Sequence, residues 1–247
     1  MNMNKYEKSL KEAIKYFWAK RDVQIKKQGG VTGKKDYGNR GAVTGGAQLD
    51  GFIELFEMIL KDTGLPEVSI HRKKTTLPGY YRPTKEWDLV IVHKNELLVA
   101  IEFKSQVGPS FGNNFNNRVE EALGSSTDLW TAFREGAFQV NRRPWLGYFL
   151  LLEKHEKSIS TVKLDEPHFK VFKNFNNTSY KDRYQIFCEK LLRERLYDAA
   201  CYLISEKISG LKNGIYEEPE PDLGFKVFCT ALIGKISTAK ACDKNQN

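Results

Sequence analysis

The sequence is poor in residues that staple a fold or ligate soft metals. Its 247 residues include four cysteines, Cys188, Cys201, Cys229 and Cys242, without C-x-x-C spacing and two of them inside apolar helical patterns. That argues against a zinc site and predicts reduced thiols in a reducing cytoplasm. His71, His93, His155 and His168 are scattered without ligand spacing, and none is assigned a catalytic role. No stretch approaches the roughly 20 apolar residues of a membrane span, and the polar start MNMNKYEKSLKEAIKYF lacks a signal-peptide core. A cytoplasmic protein with no membrane partner is expected. There is no internal repeat, low-complexity tract or linker, which predicts one domain over residues 1–247. Acid is the scarcer charge: Asp and Glu number 31 against 39 Lys and Arg, leaving +8. That balance favours a polyanionic partner without naming it.

The N-terminal stretch predicts an amphipathic helix with Leu10, Ile14, Phe17 and Trp18 on one side. Lys20 to Arg40 mixes basic residues with Gly29, Gly30, Gly33 and Gly38, and two readings stand: a loop that orders on DNA, or a solvated linker. From Gln48 to Asp62 the pattern is helical, with Leu49, Phe52, Ile53, Phe56, Ile59 and Leu60 opposite Asp50, Glu54, Glu57 and Lys61. Val68 and Ile70 suggest a short strand, and Leu77-Pro78-Gly79 a turn.

The informative stretch runs from Arg82 to Glu121. Asp88 opens one β-branched run, and Glu102 and Lys104 close the next; His93-Lys94-Asn95-Glu96 separates them as a hairpin turn. Alternation puts Leu97, Val99, Ile101 and Phe103 on one face, and Leu98, Ala100, Glu102 and Lys104 on the other. If the connection centres on Asn95, Asp88 lies opposite Glu102. For these residues to share a face the pairing sum must be even, which a plain two-residue turn at Lys94-Asn95 does not give. A three- or five-residue connection, or a bulge, is therefore expected. Two carboxylates and an ammonium would then converge where a hard divalent cation can be held, the layout of a metal-dependent nuclease site. Glu102-Phe103-Lys104 is the chain's only acidic-x-Lys triplet.

Beyond it, Gly108 to Arg118 reads as a loop crowded with Asn113, Asn114, Asn116 and Asn117, whose amides suit base edges and equally suit loop architecture or helix caps. A helix is expected from Asn117, with Val119, Ala122, Leu123, Trp130 and Phe133 at helical spacing and Gly136 at its end. Trp145 to Leu152 predicts a buried strand, and Ser179 opens a predicted long helix to about Ser205 with Ala199 and Tyr202 inward. Phe225 to Ile236 is an apolar element of open type, and Lys240 to Asn247 a frayed tail.

Several of these runs closely resemble the XhoI family of type II restriction endonucleases: LPGYYRPTKEWD (Leu77–Asp88), EFKSQVGPSFGNNFNNRVEEALG (Glu102–Gly124), FREGAF (Phe133–Phe138) and RPWLG (Arg143–Gly147). QGG at Gln28–Gly30, LDGF at Leu49–Phe52 and RLYDA at Arg195–Ala199 extend the similarity over nearly the whole chain. The resemblance implies an α/β fold with the PD-(D/E)xK restriction-endonuclease-like core, a mixed β-sheet flanked by helices. The nuclease core would span about 45–155 and a C-terminal helical part about 178–240. The superfamily pattern falls on Asp88, Glu102 and Lys104, with Trp87 where its name has Pro. A further acid from the preceding helix is implied, at Glu57 or Asp50.

The implied activity is Mg²⁺-dependent cleavage of double-stranded DNA at the palindrome CTCGAG, after the first cytosine, leaving 5′ overhangs. Asp88 and Glu102 would ligate the metal. A palindrome implies a homodimer, and a restriction enzyme implies a bacterial or archaeal cytoplasm and a cognate DNA methyltransferase that protects the same site. Base readers are expected among Asn113, Asn114, Asn116, Asn117 and Arg118, with Gln106 behind them; Arg82, Lys85 and the Lys20–Arg40 segment are expected phosphate contacts. The alternatives are a repair or recombination nuclease on the same core, and a regulator that binds DNA without cutting it.

Overall fold

The structure, a computed structural model, describes residues 2–29, 47–138 and 142–244. A five-stranded mixed sheet, the α/β core expected, runs in the order β1 (Ile70–His71), β4 (Leu89–His93), β5 (Glu96–Gln106), β6 (Trp145–Glu153), β7 (Ala199–Ser205). The β1·β4 and β4·β5 pairs are antiparallel, while β5·β6 and β6·β7 are parallel. A separate two-stranded hairpin, β2 (Thr76–Pro78) with β3 (Thr84–Glu86), stands beside it.

Helices cover both faces because the central strands are apolar on both sides. On one face pack α1 (Met3–Gly29), α2 (Asp50–Asp62) and α7 (Phe225–Lys244), meeting Leu89, Ile91, Val99, Ile101, Phe103, Phe149 and Leu203. Phe56 of α2 anchors this layer, its ring 5.4 Å from Phe103 and 5.3 Å from Phe228; truncation to alanine would cost roughly 3–5 kcal/mol. On the other face α3 (Phe111–Arg134) and α5 (Tyr180–Arg193) meet Val90, Ala100, Leu146, Tyr148, Leu150 and Tyr202. Short α4 (Glu156–Ile159) and α6 (Lys207–Asn213) complete the chain. No helix among the described residues is long and apolar enough to cross a membrane. Cys188, Cys201 and Cys229 are free and buried, and burial pushes all three thiols up.

Four expectations change. The helix from Ser179 does begin there, with a reciprocal Ser179–Asp182 capping box, but it ends at Arg193, and Arg195 takes positive φ (54°) before β7. Ala199 and Tyr202 share a helical spacing by coincidence: Ala199–Ser205 is a strand buried on both sides, so the C-terminal part supplies a core strand and not helices alone. Of the Lys20–Arg40 segment, Lys20 to Gly29 continues α1, and 30–40 lies outside the described residues. The apolar element from Phe225 is helical and runs to Lys244, past the expected fray at Lys240. Helix α3 starts at Phe111, six residues before Asn117, because packing of Phe111 beside Tyr180 overrides the weak propensities of Gly112 and the asparagines.

Candidate active site

The β4–β5 hairpin fixes the geometry. Lys94 and Asn95 both take positive φ (49° and 62°), a two-residue turn matched to strand twist. Val92 pairs with Leu97, but Ile91 pairs with Val99, so Leu98 is an extra residue in β5. This bulge makes the pairing sum even: Leu89 faces Ile101, which sets Asp88 opposite Glu102. It also corrects the face assignment at the turn end of β5, where Leu98 joins Val99 in the α2 layer and Leu97 joins Ala100 in the α3 layer.

Glu102 is only 4% exposed, and its carboxylate lies between two ammoniums, Lys104 Nζ 2.5 Å from Oε1 and Lys85 Nζ 2.6 Å from Oε2. Burial alone would raise its pKa, but Lys104 and Lys85 together outweigh that and hold it below the usual carboxylate range. Burial would likewise lower Lys104, yet Glu102, then Asp88 and Glu121, keep its pKa raised. Asp88 is held by a backbone donor, the Phe103 N–H, 2.7 Å from Oδ2. Burial, then the charge of Glu102, lifts its carboxyl to about 6. Among the described residues no ammonium lies within ion-pair distance of it, whereas Glu102 has two.

Lys85 enters from β3 and is the residue that sequence reasoning missed here, having been expected at phosphate. Its Nζ also donates to Glu86 O at 3.0 Å and lies 4.4 Å from the Trp87 ring centroid. The signal available was its i, i+2 relation to Trp87, which shares its inward side of the strand. From α3, Glu121 approaches Lys104 to 3.7 Å and pairs closely with Arg118.

The other expected residues fall in different places. Glu57 sits on α2, across the sheet from Glu102, and accepts from Arg72 at 3.3 Å. Asp50 opens the same helix. No group of three or more His, Cys, Asp or Glu side chains among the described residues is arranged to hold a metal ion. Gln106 is buried, with its amide nitrogen 3.1 Å from Ser110 O and its oxygen accepting from Tyr184 Oη at 2.6 Å, so it braces the start of α3 from the inside. Asn113, Asn116 and Asn117 are exposed on the first two turns of α3 instead of on a loop, Asn114 is half-buried, and Arg118 is engaged by Glu121. Arg82 is 3.0 Å from Asp128 on α3.

The donor set is chemically suited to a hard cation. Asp88 and Glu102 offer oxygens only, and Mg²⁺ is commonly bound by one or two carboxylates with water and substrate phosphate completing its shell. Such an ion would give Asp88 the close cationic partner that no ammonium among the described residues provides.

Comparison with known proteins covers the stretch of chain that holds these residues. The family model described as Restriction endonuclease XhoI matches residues 27–218. The type II restriction enzyme BstVI of Geobacillus stearothermophilus is 51% identical over 213 residues, 84% of this chain and 95% of its own length. XhoI of Xanthomonas vasicola is 40% identical over 195 residues, 78% of this chain and 77% of its own. AbrI of Azospirillum brasilense is 46% identical over 167 residues, 67% and 74% respectively. No solved structure matches the chain.

Proposed function

The chain belongs to the XhoI family of type II restriction endonucleases and is a site-specific deoxyribonuclease; from that premise we propose that it cuts double-stranded DNA at CTCGAG, after the first cytosine, with Mg²⁺. The observation carrying the assignment of the chemistry is the juxtaposition of Asp88, Glu102 and Lys104 on one face at the end of a paired hairpin. Asp88 and Glu102 would hold the cation through their carboxylate oxygens. Bound there, it supplies Lewis-acid polarisation of the scissile phosphate and a water of lowered pKa.

The chain's own groups do the rest. Lys104, held as an ammonium, orients the attacking water and offsets charge that builds on the phosphate. Glu102 keeps that ammonium in place through their 2.5 Å contact. The reaction is hydrolysis: a water oxygen bonds to phosphorus as the bond to the leaving oxygen breaks. Asn113, Asn116 and Asn117 are the exposed candidates for base contact, and the formal +8 charge favours the duplex. A palindrome read by identical chains requires a two-fold axis, so the enzyme acts as a homodimer with one site per strand, in the cytoplasm, beside a methyltransferase that protects the same sequence.

The test is a digest of plasmid DNA with and without Mg²⁺, followed by sequencing of the ends and sizing of the protein on a cognate duplex. Ends within CTCGAG, overhanging 5′, together with a dimer are expected. Equal cutting of symmetric variants such as CTTAAG would reassign the specificity, and intact DNA would leave only binding.

A further inference from the structure

The β2–β3 hairpin is tied at its tip to α3. Its tip, Gly79 to Pro83, wraps the carboxylate of Asp128, a buried residue of α3. Tyr80 and Tyr81 each donate a backbone N–H to Oδ1 at 2.7 Å, Arg82 adds its N–H at 3.4 Å, and its Nε meets Oδ2 at 3.0 Å. Gly79 passes so close that a Cβ there would lie 2.4 Å from Oδ2, so only glycine fits. Burial would raise the Asp128 carboxyl, and the N–H groups of Tyr81 and Tyr80 with Arg82 overcome that and hold it low.

What this clamp fixes is an outward display. The Tyr80 and Tyr81 side chains are 56% and 70% exposed, and their rings meet edge to face with centroids 5.6 Å apart. Between Tyr81 and α3 lies an open cleft of about 490 Å³ lined by Tyr81, Arg82, Leu123, Gly124, Thr127 and Asp128. A Cβ on Gly124 would meet nothing within 4 Å, so this stretch of the helix surface is uncovered. The base of the same hairpin delivers Lys85 to Glu102. Along α3, Glu121 marks the level of Lys104 and Asp128 that of the tyrosines; seven residues of helix separate the two levels by about 10 Å.

Building on the nuclease reading above, we propose that the β2–β3 hairpin is a DNA-contacting arm, in which Tyr80 and Tyr81 rest against nucleotides flanking the phosphate at Asp88 and Glu102. Asp128 is its positioning residue. The occupant is the substrate duplex because the arm is continuous with the proposed active site, carries Arg82 beside the tyrosines, and joins the exposed face of α3 that bears Asn113 and Asn117. Against an intact duplex the rings pack on the sugar-phosphate edge whatever the sequence, so the arm adds affinity and register.

The test uses the full-length protein and a synthetic duplex carrying the sequence at which the unmodified protein cuts. Tyrosine nitration with tetranitromethane, read by mass spectrometry, should modify Tyr80 and Tyr81 in the free protein and spare them on the duplex. Tyr80→Ala and Tyr81→Ala should each raise KM about 10-fold, the size of one aromatic–nucleotide contact, with kcat changed by less than about 2-fold. Tyr→Phe at either position should restore most of that loss. Asp128→Asn should show the same split, rising in KM at near-constant kcat, whereas mere loss of folded protein would lower kcat per mole with KM unchanged. Equal nitration with and without the duplex, or unchanged KM in both alanine variants while the unmodified enzyme cuts normally, would overturn the arm and leave the nuclease reading standing. A protein that cuts no duplex at all would instead sink that reading.

Discussion

Lys85 places its Nζ 2.6 Å from Oε2 of Glu102, on the carboxylate oxygen that Lys104 leaves free. A cation arriving at Glu102 therefore competes with an ammonium already there. Lys85→Ala should lower the Mg²⁺ concentration that half-saturates the DNA-free protein by about 10-fold, a difference of about 1.4 kcal/mol, read by titration calorimetry. Unchanged or weaker affinity would mean that Lys85 does not compete for the site.

Asp88 gives a pH signature. Its carboxyl is raised from 3.8 to about 6, so the folded state prefers the neutral acid. Its contribution to stability is present in full below the unfolded pKa and is lost as pH rises through about 6. Asp88→Asn should stabilise the metal-free protein by roughly 2 kcal/mol above about pH 7 and by little near pH 4. Chemical denaturation at both pH values checks this, and a variant destabilised at neutral pH would contradict it.

Cleavage and folding should separate at the three proposed site residues. Asp88→Asn, Glu102→Gln and Lys104→Ala are each expected to slow cutting by at least about 10²- to 10³-fold, while gel shifts show retained duplex binding. Near-normal Mg²⁺-dependent cutting by Lys104→Ala would remove the role given to it.

Glu57 makes the opposite case. Its carboxylate faces Arg72 at 3.3 Å, an ion pair of the partly exposed kind worth about 0–1 kcal/mol. Glu57→Gln should keep cleavage within about 3-fold of the unmodified enzyme and lose less than about 1 kcal/mol of stability. A loss of activity as deep as that at Glu102 would make Glu57 an acid of the site.

The sequence was most legible where one residue type left few alternatives. The buried strand from Trp145 and the apolar stripe of α2 followed from periodicity, and the bulge in the β4–β5 hairpin from requiring Asp88 to share a face with Glu102 and Lys104. It was least legible where long-range contacts decide. The Gly/Asn-rich opening of α3 reads locally as a loop, and becomes helix because Phe111 and Phe115 pack on Tyr180 and Tyr184. Ala199 to Ile204 fits two periods, and only a place beside β6 selects the strand. Lys85 was singled out only as a phosphate contact, since nothing local shows that the β2–β3 hairpin folds against Glu102. The Asp128 clamp was hidden for the same reason: its partners lie 46–48 positions away.

The bulge at Leu98 also bears on which insertions and deletions the gene can tolerate. Because β5 carries one residue more than its pairing with β4 uses, the hairpin holds a spare position about 13 Å from Glu102, four strand residues at about 3.3 Å each. Loss of the Leu98 codon would convert the hairpin to a regular one with Asp88 still facing Glu102, at the expense of one buried leucine. Loss of Val99 could be absorbed in the same way, with Leu98 moving into its place. A codon gained there has no such slack and forces a second irregularity or turns the two carboxylates to opposite faces of the sheet. Frame-preserving length changes in this hairpin should therefore be asymmetric in effect, with deletions sparing activity that insertions of equal size destroy.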